Sequence, residues 1–347
     1  MIVYVGGASM RKTDKRKKII LKLLLVWLVG NICFFKYIGL LAVSMSRISW
    51  FASMPKIPMP GIVLPLGISY IIFRLIHYIV EVYRRNMPES SFSDFGLYIL
   101  FFPTFLAGPV ERFHNFHSQT RAQKSISAGT SLGDINYGLF RIICGMVKKF
   151  IIGDSLARLI MPLLNSPQNY SRLLVLVSIY GLAVRIYMDF SGYTDMAIGI
   201  ARLFGYRIVE NFKKPFFQKN IALFWRNWHI SVYTWIRDYF FFPFFGHRAS
   251  SVKVYAGVFF SMLVFMLWHG GNFNFFILGI YHGLGLLTWY GFQEIKRKHP
   301  AIRRLTVKPY LDPLAIFFTF SFVSFGFIVF ALDINCAKAI LQRVFFV

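Results

Sequence analysis

Residues 252–271 read VKVYAGVFFSMLVFMLWHGG, an apolar run that ends on His269 and two glycines. At about 1.5 Å of rise per residue, a helix over this run is long enough to cross most of a ~30 Å hydrocarbon core. An ionisable side chain at membrane depth is costly, so it is a functional candidate wherever it occurs. The stretch therefore predicts a membrane-spanning helix that carries a histidine to a functional site.

A second histidine lies upstream, in a segment of mixed polarity. Residues 224–231 read FWRNWHIS, with His229 beside a tryptophan, and residues 235–239 read WIRDY. Arginine and aspartate are interspersed here with aromatic and aliphatic residues, so the segment cannot face lipid on all sides. We expect a helix that lies inside the protein or along the membrane interface.

The composition of the whole chain is that of a membrane protein. Of its 347 residues, 56% are hydrophobic and only 15% are charged, against about 25% charged residues in an average soluble domain. Further runs of spanning length cover residues 19–43, 62–82, 172–188, 273–292 and 313–332. We predict an all-α, polytopic integral membrane protein that forms one domain over residues 1–347. By length, it should have roughly eight to ten membrane-embedded helices, some of them broken or re-entrant.

The net charge of +25 raises the question of nucleic-acid binding. The basic residues, however, cluster beside the apolar runs, at residues 11–22, 84–85, 148–149, 213–214 and 296–308. This is the positive-inside pattern, in which cytoplasmic loops hold Lys and Arg against anionic lipid. We therefore expect the lipid bilayer, and not nucleic acid, as the partner of these residues.

Polar residues inside the predicted spans indicate surfaces that face protein. Arg74, His77 and Glu81 are spaced three and four residues apart, so they share one helix face that should point inward. Residues 95–110 are apolar but are interrupted by Pro103, Gly108 and Pro109, which predicts a broken helix whose backbone is satisfied by protein or water.

Two aspartates, Asp189 and Asp195, follow another apolar run. They suit a proton relay or a cation site, or they form ion pairs with Arg185 and Arg202, which is the interpretation we favour. The three cysteines are far apart and show no CxxC, so neither a disulfide framework nor a zinc site is expected.

His269 has two interpretations. It is either a helix-terminal histidine at the headgroup level beside Trp268, or a general base, since imidazole accepts a proton near neutral pH. Gly270 and Gly271 should leave room for a ligand, and Asn272 adds a polar group. The GxxxxGK[ST], GxGxxG and GxSxG motifs are absent, so ATP hydrolysis and a Rossmann cofactor are not expected.

The motifs FWRNWHIS (224–231), WIRDY (235–239) and LWHG (267–270) together resemble the membrane-bound O-acyltransferase (MBOAT) family. The similarity is to its bacterial branch, which contains alginate O-acetyltransferase and the D-alanyl transferase of teichoic acid. Supporting stretches follow in order along the chain: PLGISY (65–70), FPTFLAGPVER (102–112), DFSGYTD (189–195) and ENF (210–212).

The resemblance implies a many-helix fold with a tunnel and acyl transfer, most simply of acetyl, from a thioester to a hydroxyl of an exported or cell-envelope polysaccharide. The thioester would be acetyl-CoA or an acylated carrier protein, used as a co-substrate, with no bound cofactor. The family's invariant histidine maps onto His269 and its second histidine onto His229. Substrate-binding residues are expected among their polar and aromatic neighbours, namely Trp225, Arg226, Trp228, Arg237, Asp238, Trp268 and Asn272.

The resemblance also places the protein in the inner (cytoplasmic) membrane as a multi-pass enzyme, with an acyl carrier and a periplasmic or extracellular acyltransferase as partners. Family members are longer, so this chain is expected to lack their N-terminal helices. Residues 240–251, FFFPFFGHRASS, replace the Pro-Leu-Gly-Gly-Asn-like turn of alginate-type members.

Three other functions fit the same polar residues. Within the family branch, the alternative is D-alanyl transfer to teichoic acid. From other classes, a membrane transporter or channel and an inactive scaffold of a polymer-export complex are alternatives. Transporters often contain an internal repeat, and none is visible in the sequence.

Overall fold

The computed structural model describes residues 1–46, 65–125, 131–247, 250–306 and 308–346. Across these ranges the protein is helical and contains no β-strand, only an isolated antiparallel bridge between Phe212 and Trp228. The all-α class predicted from the sequence is confirmed.

Five helices in the described ranges are long and apolar enough to cross a membrane. They cover Lys17–Ile38, Arg172–Leu203, Ser251–His269, Phe273–Lys298 and Pro309–Ala331. Large apolar side chains on them point outward, as with Leu173 and Phe317, which are 69% and 53% exposed and would contact lipid. The polytopic membrane class is confirmed. The predicted total of roughly eight to ten membrane-embedded helices, which counts short and broken segments, stays a prediction.

The chain forms two compact units, and the first comprises residues 1–139 and 197–209. The helices that lie wholly within it are α1 (Ile2–Lys12), α2 (Lys17–Ser46), α3 (Ile68–Tyr83), α4 (Phe92–Leu100) and α5 (Phe113–Ser125). Helix α1 packs closely because it carries glycine at its contacts. A Cβ on Gly6 would lie 2.7 Å from Leu24 Cδ1, and one on Gly7 would lie 3.2 Å from the Tyr78 ring.

The polar face of α3 points into this unit, as the sequence predicts. Arg74, His77 and Glu81 are 1%, 0% and 9% exposed. Helix α4 ends before Pro103, and Arg74 donates hydrogen bonds to the carbonyls that this break leaves free, those of Tyr98 (3.0 Å), Ile99 (3.1 Å) and Thr104 (2.7 Å). The predicted broken helix, with its backbone satisfied by protein, is therefore confirmed.

The second unit comprises residues 140–196 and 210–347. Its long helices include α8 (Arg172–Leu203), α12 (Ser251–His269), α13 (Phe273–Lys298) and α15 (Asp312–Ala331). The shorter ones are α6 (Leu132–Met146), α7 (Asp154–Asn165), α9 (Ile221–Asn227), α10 (Ile230–Ile236), α11 (Phe242–Phe245), α14 (Pro300–Thr306) and α16 (Ile334–Phe345). Helices α6 and α8 each contribute residues to both units.

Ion pairs in the second unit hold a π-helical turn, Val147–Gly153, against α8. Lys149 pairs with Asp189, and Lys148 pairs with Asp195 at 2.5 Å. Arg141 also pairs with Asp195, at 2.5 Å. Pairing of the two aspartates was the favoured prediction and is confirmed, but the expected partners, Arg185 and Arg202, are wrong. The positive charge comes from Lys148, Lys149 and Arg141, which are at least 40 residues away in sequence, so sequence proximity does not indicate these contacts.

Candidate active site

A short antiparallel contact shapes the backbone at the first histidine motif. Lys213 donates its backbone N–H to the Asn227 carbonyl (3.0 Å), and Ile230 donates to the Asn211 carbonyl (2.9 Å). Helix α9 ends at Asn227 and α10 begins at Ile230, so this pairing holds the two residues between them outside helical geometry.

His229 adopts a left-handed backbone conformation in this linker, with φ 47° and ψ 52°. For a residue other than glycine, such a conformation costs on the order of 1–3 kcal/mol and occurs preferentially at functional sites. The fold thus stabilises an unfavourable backbone in order to direct one imidazole.

The His229 side chain is completely buried. Its Nδ1 lies 3.1 Å from Asn211 Oδ1, and the ring of Phe190 packs edge-on at 4.7 Å between centroids. Among the described residues, no group forms a hydrogen bond with its Nε2. His229 lies outside the five candidate spans, and burial, with a further contribution from His269, holds its pKa well below the usual value. The imidazole is therefore neutral and has one nitrogen available.

His269 is the last residue of α12 and is half-buried. Its ring packs against Trp268 (4.8 Å), Phe330 (5.2 Å) and Phe275 (6.0 Å between centroids). The prediction that Gly270 leaves room for a ligand is wrong. A Cβ on Gly270 would lie 2.6 Å from Phe275 Cε2, so the glycine makes room for the phenylalanine ring.

The fold brings the two predicted histidines to one site. Both rings border the same two aromatic residues. Phe265 lies 6.1 Å from His229 and 5.5 Å from His269, and Trp268 lies 6.0 Å and 4.8 Å from them, between centroids. The two histidines therefore share an aromatic environment.

The other predicted tryptophans are buried around this site. Trp225 packs edge-on to Phe265 at 5.2 Å. Trp228 stacks on Phe224 at 5.5 Å and also contacts Phe327 at 5.2 Å. Trp225 therefore belongs to the wall behind the histidines, whereas the contacts of Trp228 are those of a packing residue.

The predicted charged residues have tyrosine or charged neighbours. The nearby hydroxyls of Tyr233 and, to a smaller extent, Tyr290 raise the pKa of Arg226. Arg237 pairs with the adjacent Asp238 at 2.8 Å, in a π-helical turn over Arg237–Phe241. The ion pair fits a segment that lies inside the protein or along the membrane interface, as predicted from its mixed polarity.

Asn272 is exposed at the start of α13 and makes no side-chain capping bond there. The neighbouring Asn274 instead donates to the carbonyls of Val329 (3.2 Å) and Leu332 (2.7 Å) at the end of α15. The exposed position of Asn272 does not by itself give it a partner in the site, so its role in substrate binding stays a prediction.

A cavity of about 210 Å³ lies beside the histidines. Trp225 and Phe265 form the wall that it shares with the site, and its polar lining comes from Tyr233, Arg237, Ser261 and Tyr290. Its remaining walls are apolar, which suits a small acyl group or the apolar part of a donor.

Sequence reasoning gives His282 a structural role and does not single out Asn211, yet both residues lie at the site. His282 on α13 is buried against Trp225 at 4.9 Å, in space that Gly326 provides: a Cβ there would lie 2.8 Å from His282 Nε2. Asn211, which contacts His229, was noted only as part of the ENF motif. A polar residue that is completely buried would have been the signal, but burial is not visible in sequence.

In the described part of the chain, no three His, Cys, Asp or Glu side chains group as metal ligands.

Comparison with known proteins places this site in context. Residues 18–331 match the sequence model of MBOAT, the membrane-bound O-acyltransferase family. The chain is 33% identical over 334 residues to the probable alginate O-acetylase AlgI of Pseudomonas aeruginosa, covering 94% of this chain and 59% of that protein.

Two other relatives are named for polymers other than alginate. The teichoic acid D-alanyltransferase of Bacillus subtilis is 33% identical over 308 residues, covering 84% of this chain and 75% of that protein. The peptidoglycan O-acetyltransferase of Helicobacter pylori is 27% identical over 349 residues, covering 92% and 64%.

Proposed function

Because the chain belongs to the membrane-bound O-acyltransferase family, we propose that it transfers an acyl group, most simply acetyl, from a thioester to a hydroxyl of an exported or cell-envelope polysaccharide. The observation that carries this proposal is the pair of histidines that share Phe265 and Trp268 as walls. Residues 1–347 would act as one catalytic domain in the cytoplasmic membrane, with the basic loops on the cytoplasmic side.

In the proposed reaction His269 is the general base. The acceptor oxygen attacks the thioester carbonyl carbon as His269 takes the hydroxyl proton. The tetrahedral intermediate then collapses, the carbon–sulfur bond breaks, and the imidazolium returns the proton to the leaving thiolate. The products are an ester and a thiol. General-base catalysis of this kind contributes about 10²–10⁴-fold to the rate.

His229 would assist in one of two ways, by orienting the donor or acceptor or by stabilising the oxyanion. Trp225 and Trp268 would exclude water, and Trp228 would support them by packing. Arg226, Arg237, Asp238 and Asn272 would bind the more polar parts of the substrates. The co-substrate would be acetyl-CoA or an acylated carrier protein, and an acyltransferase outside the membrane would be a partner.

Reconstitution tests the reaction class. In one reaction, the chain in liposomes would receive alginate oligosaccharide and acetyl-CoA labelled in the acetyl group. A parallel reaction would contain lipoteichoic acid and a carrier protein that bears a labelled D-alanyl group. We expect label in one polymer, in an ester that mild base releases. Label from the D-alanyl reaction alone would select the teichoic-acid alternative. Sugar or ion flux without thioester, and no transfer in either reaction, would overturn the proposal in favour of a transporter.

A further inference from the structure

The buried amide of Asn211 forms the closest polar contacts of His229. Its Oδ1 lies 3.1 Å from His229 Nδ1, 3.2 Å from the backbone nitrogen of Ser231 and 2.8 Å from Ser231 Oγ. Asn211 and His229 are both completely buried. One amide oxygen therefore holds both the imidazole and the first turn of α10.

The backbone N–H of Ser231 fixes which way this amide faces. A backbone N–H only donates, so the atom opposite it must be the oxygen and not the NH2 of Asn211. That same oxygen faces His229 Nδ1. Because a carbonyl oxygen only accepts, Nδ1 must carry the proton, and in the neutral ring Nε2 then presents a lone pair.

We propose that Asn211 is a positioning residue that holds His229 as the Nδ1–H tautomer, so that Nε2 accepts a hydrogen bond from an O–H of the acceptor substrate. This inference rests on the proposed acyl transfer and decides between the two roles left open for His229. A neutral Nε2 without a proton cannot donate to an oxyanion, so His229 orients the acceptor.

The surroundings of Nε2 support this role. The rings that pack around the His229 imidazole, those of Phe190, Phe265 and Trp268, are aromatic. Among the described residues, His269 is the titratable group that acts on His229 electrostatically. On α8, the charge nearest in sequence to Phe190 is Asp189, which Lys149 neutralises. A substrate hydroxyl would therefore meet an acceptor that no other described group occupies.

Nitrogen NMR of the full chain in nanodiscs reads the tautomer directly, without any substrate. The protein has eight histidines, and the spectrum of His229→Gln identifies the signal of His229. We expect an unprotonated Nε2 in the wild type at pH 7. In Asn211→Leu, which removes the oxygen at similar volume, we expect the Nε2–H form to appear. A protonated Nε2 in the wild type, or an unchanged signal in Asn211→Leu, overturns the inference.

Kinetics test the role that follows from the tautomer. Asn211→Leu should lower kcat/KM for the polysaccharide at least about tenfold, because a buried hydrogen bond to the substrate hydroxyl is lost. Asn211→Asp keeps an acceptor at Nδ1, so it should restore most of this activity. Its carboxylate would raise the pKa of His229, and because the protonated ring cannot accept, the acidic limb of the pH profile should move to higher pH.

Thr234→Val is the matched control. The Thr234 hydroxyl donates to the carbonyls of Ile230 (2.9 Å) and Ser231 (3.0 Å) in the same short helix. This variant should keep the wild-type pH profile. Asn211 would be only a structural residue if Thr234→Val and Asn211→Leu lost kcat/KM equally and Asn211→Asp left the pH profile unshifted. Absence of transfer in the wild type would instead contradict the proposed function, while the NMR result would still decide the tautomer.

Discussion

Two buried histidines, one in each compact unit, show how differently the same side chain is used. His77 and His229 are both 0% exposed. In the first unit, His77 Nε2 accepts a hydrogen bond from the backbone of Phe113 at 2.8 Å. In the second unit, His229 Nε2 has no hydrogen-bond partner among the described residues.

The difference follows from what each unit has to satisfy. In the first unit, side chains form hydrogen bonds with irregular backbone. Arg74 donates to the Tyr98 carbonyl near the end of α4, and Glu111 Oε2 accepts from the backbone N–H of Val209 at 3.0 Å. A buried polar atom left without a partner costs about 1–3 kcal/mol, so stability alone explains these contacts. Stability does not explain the free nitrogen of His229, which suits a ligand. Burial alone therefore does not distinguish a structural histidine from a functional one.

Removal of Arg74 should have the largest effect on stability. In Arg74→Met, three buried carbonyls lose their donor, at about 1–3 kcal/mol each, and the first unit should unfold at a clearly lower temperature. Thermal unfolding in detergent measures this change. Arg16→Met, at an exposed position, is the control and should unfold like the wild type. A normal melting temperature for Arg74→Met would mean that water replaces the guanidinium, and the contrast between the units would weaken.

Removal of the proposed base should affect the reaction and not the fold. We expect His269→Ala to lower kcat for acyl transfer by about 10²–10⁴-fold, with an unchanged melting temperature because the ring is only half-buried. His299→Ala removes an exposed histidine and should transfer at the wild-type rate. If His269→Ala, correctly folded, retained full transfer, the site would have to be built around another group.

The smallest effect is expected at Asn272. Loss of an N-cap bond typically costs about 0.5–2 kcal/mol, but Asn272 makes no side-chain capping bond. Asn272→Ala should therefore leave stability unchanged within error. A rise in KM at unchanged stability would support its predicted role in substrate binding, and wild-type kinetics would remove Asn272 from the site.

Much of the architecture was predictable because lipid restricts the solutions available to a chain. Long apolar runs identified the main spans, and the spacing of Arg74, His77 and Glu81 identified an inward face. His229 and His269 stood out because ionisable groups are rare in such surroundings. Their meeting around Phe265 could be expected from family resemblance but not from spacing, since 39 residues separate them along the chain.

Other features depend on contacts between distant segments. Lys148 and Lys149 pair with the aspartates because a π-helical turn lies against α8. The ring of Phe275 fills the space beside Gly270. A pair of glycines in the sequence does not indicate which side chain packs against it. Asn211 was inconspicuous in the sequence because asparagine is common in loops and its burial is a property of the fold.

The sequence by itself determined that this protein is helical, lies in a membrane and carries two histidines in apolar surroundings. These conclusions need only composition and local periodicity, because hydrophobicity and the cost of charge in lipid act on each segment separately. Only the tertiary structure decided which nitrogen of His229 carries the proton. That choice depends on an amide oxygen eighteen residues away, and hydrogen bonds that specify a tautomer form only when the chain has folded.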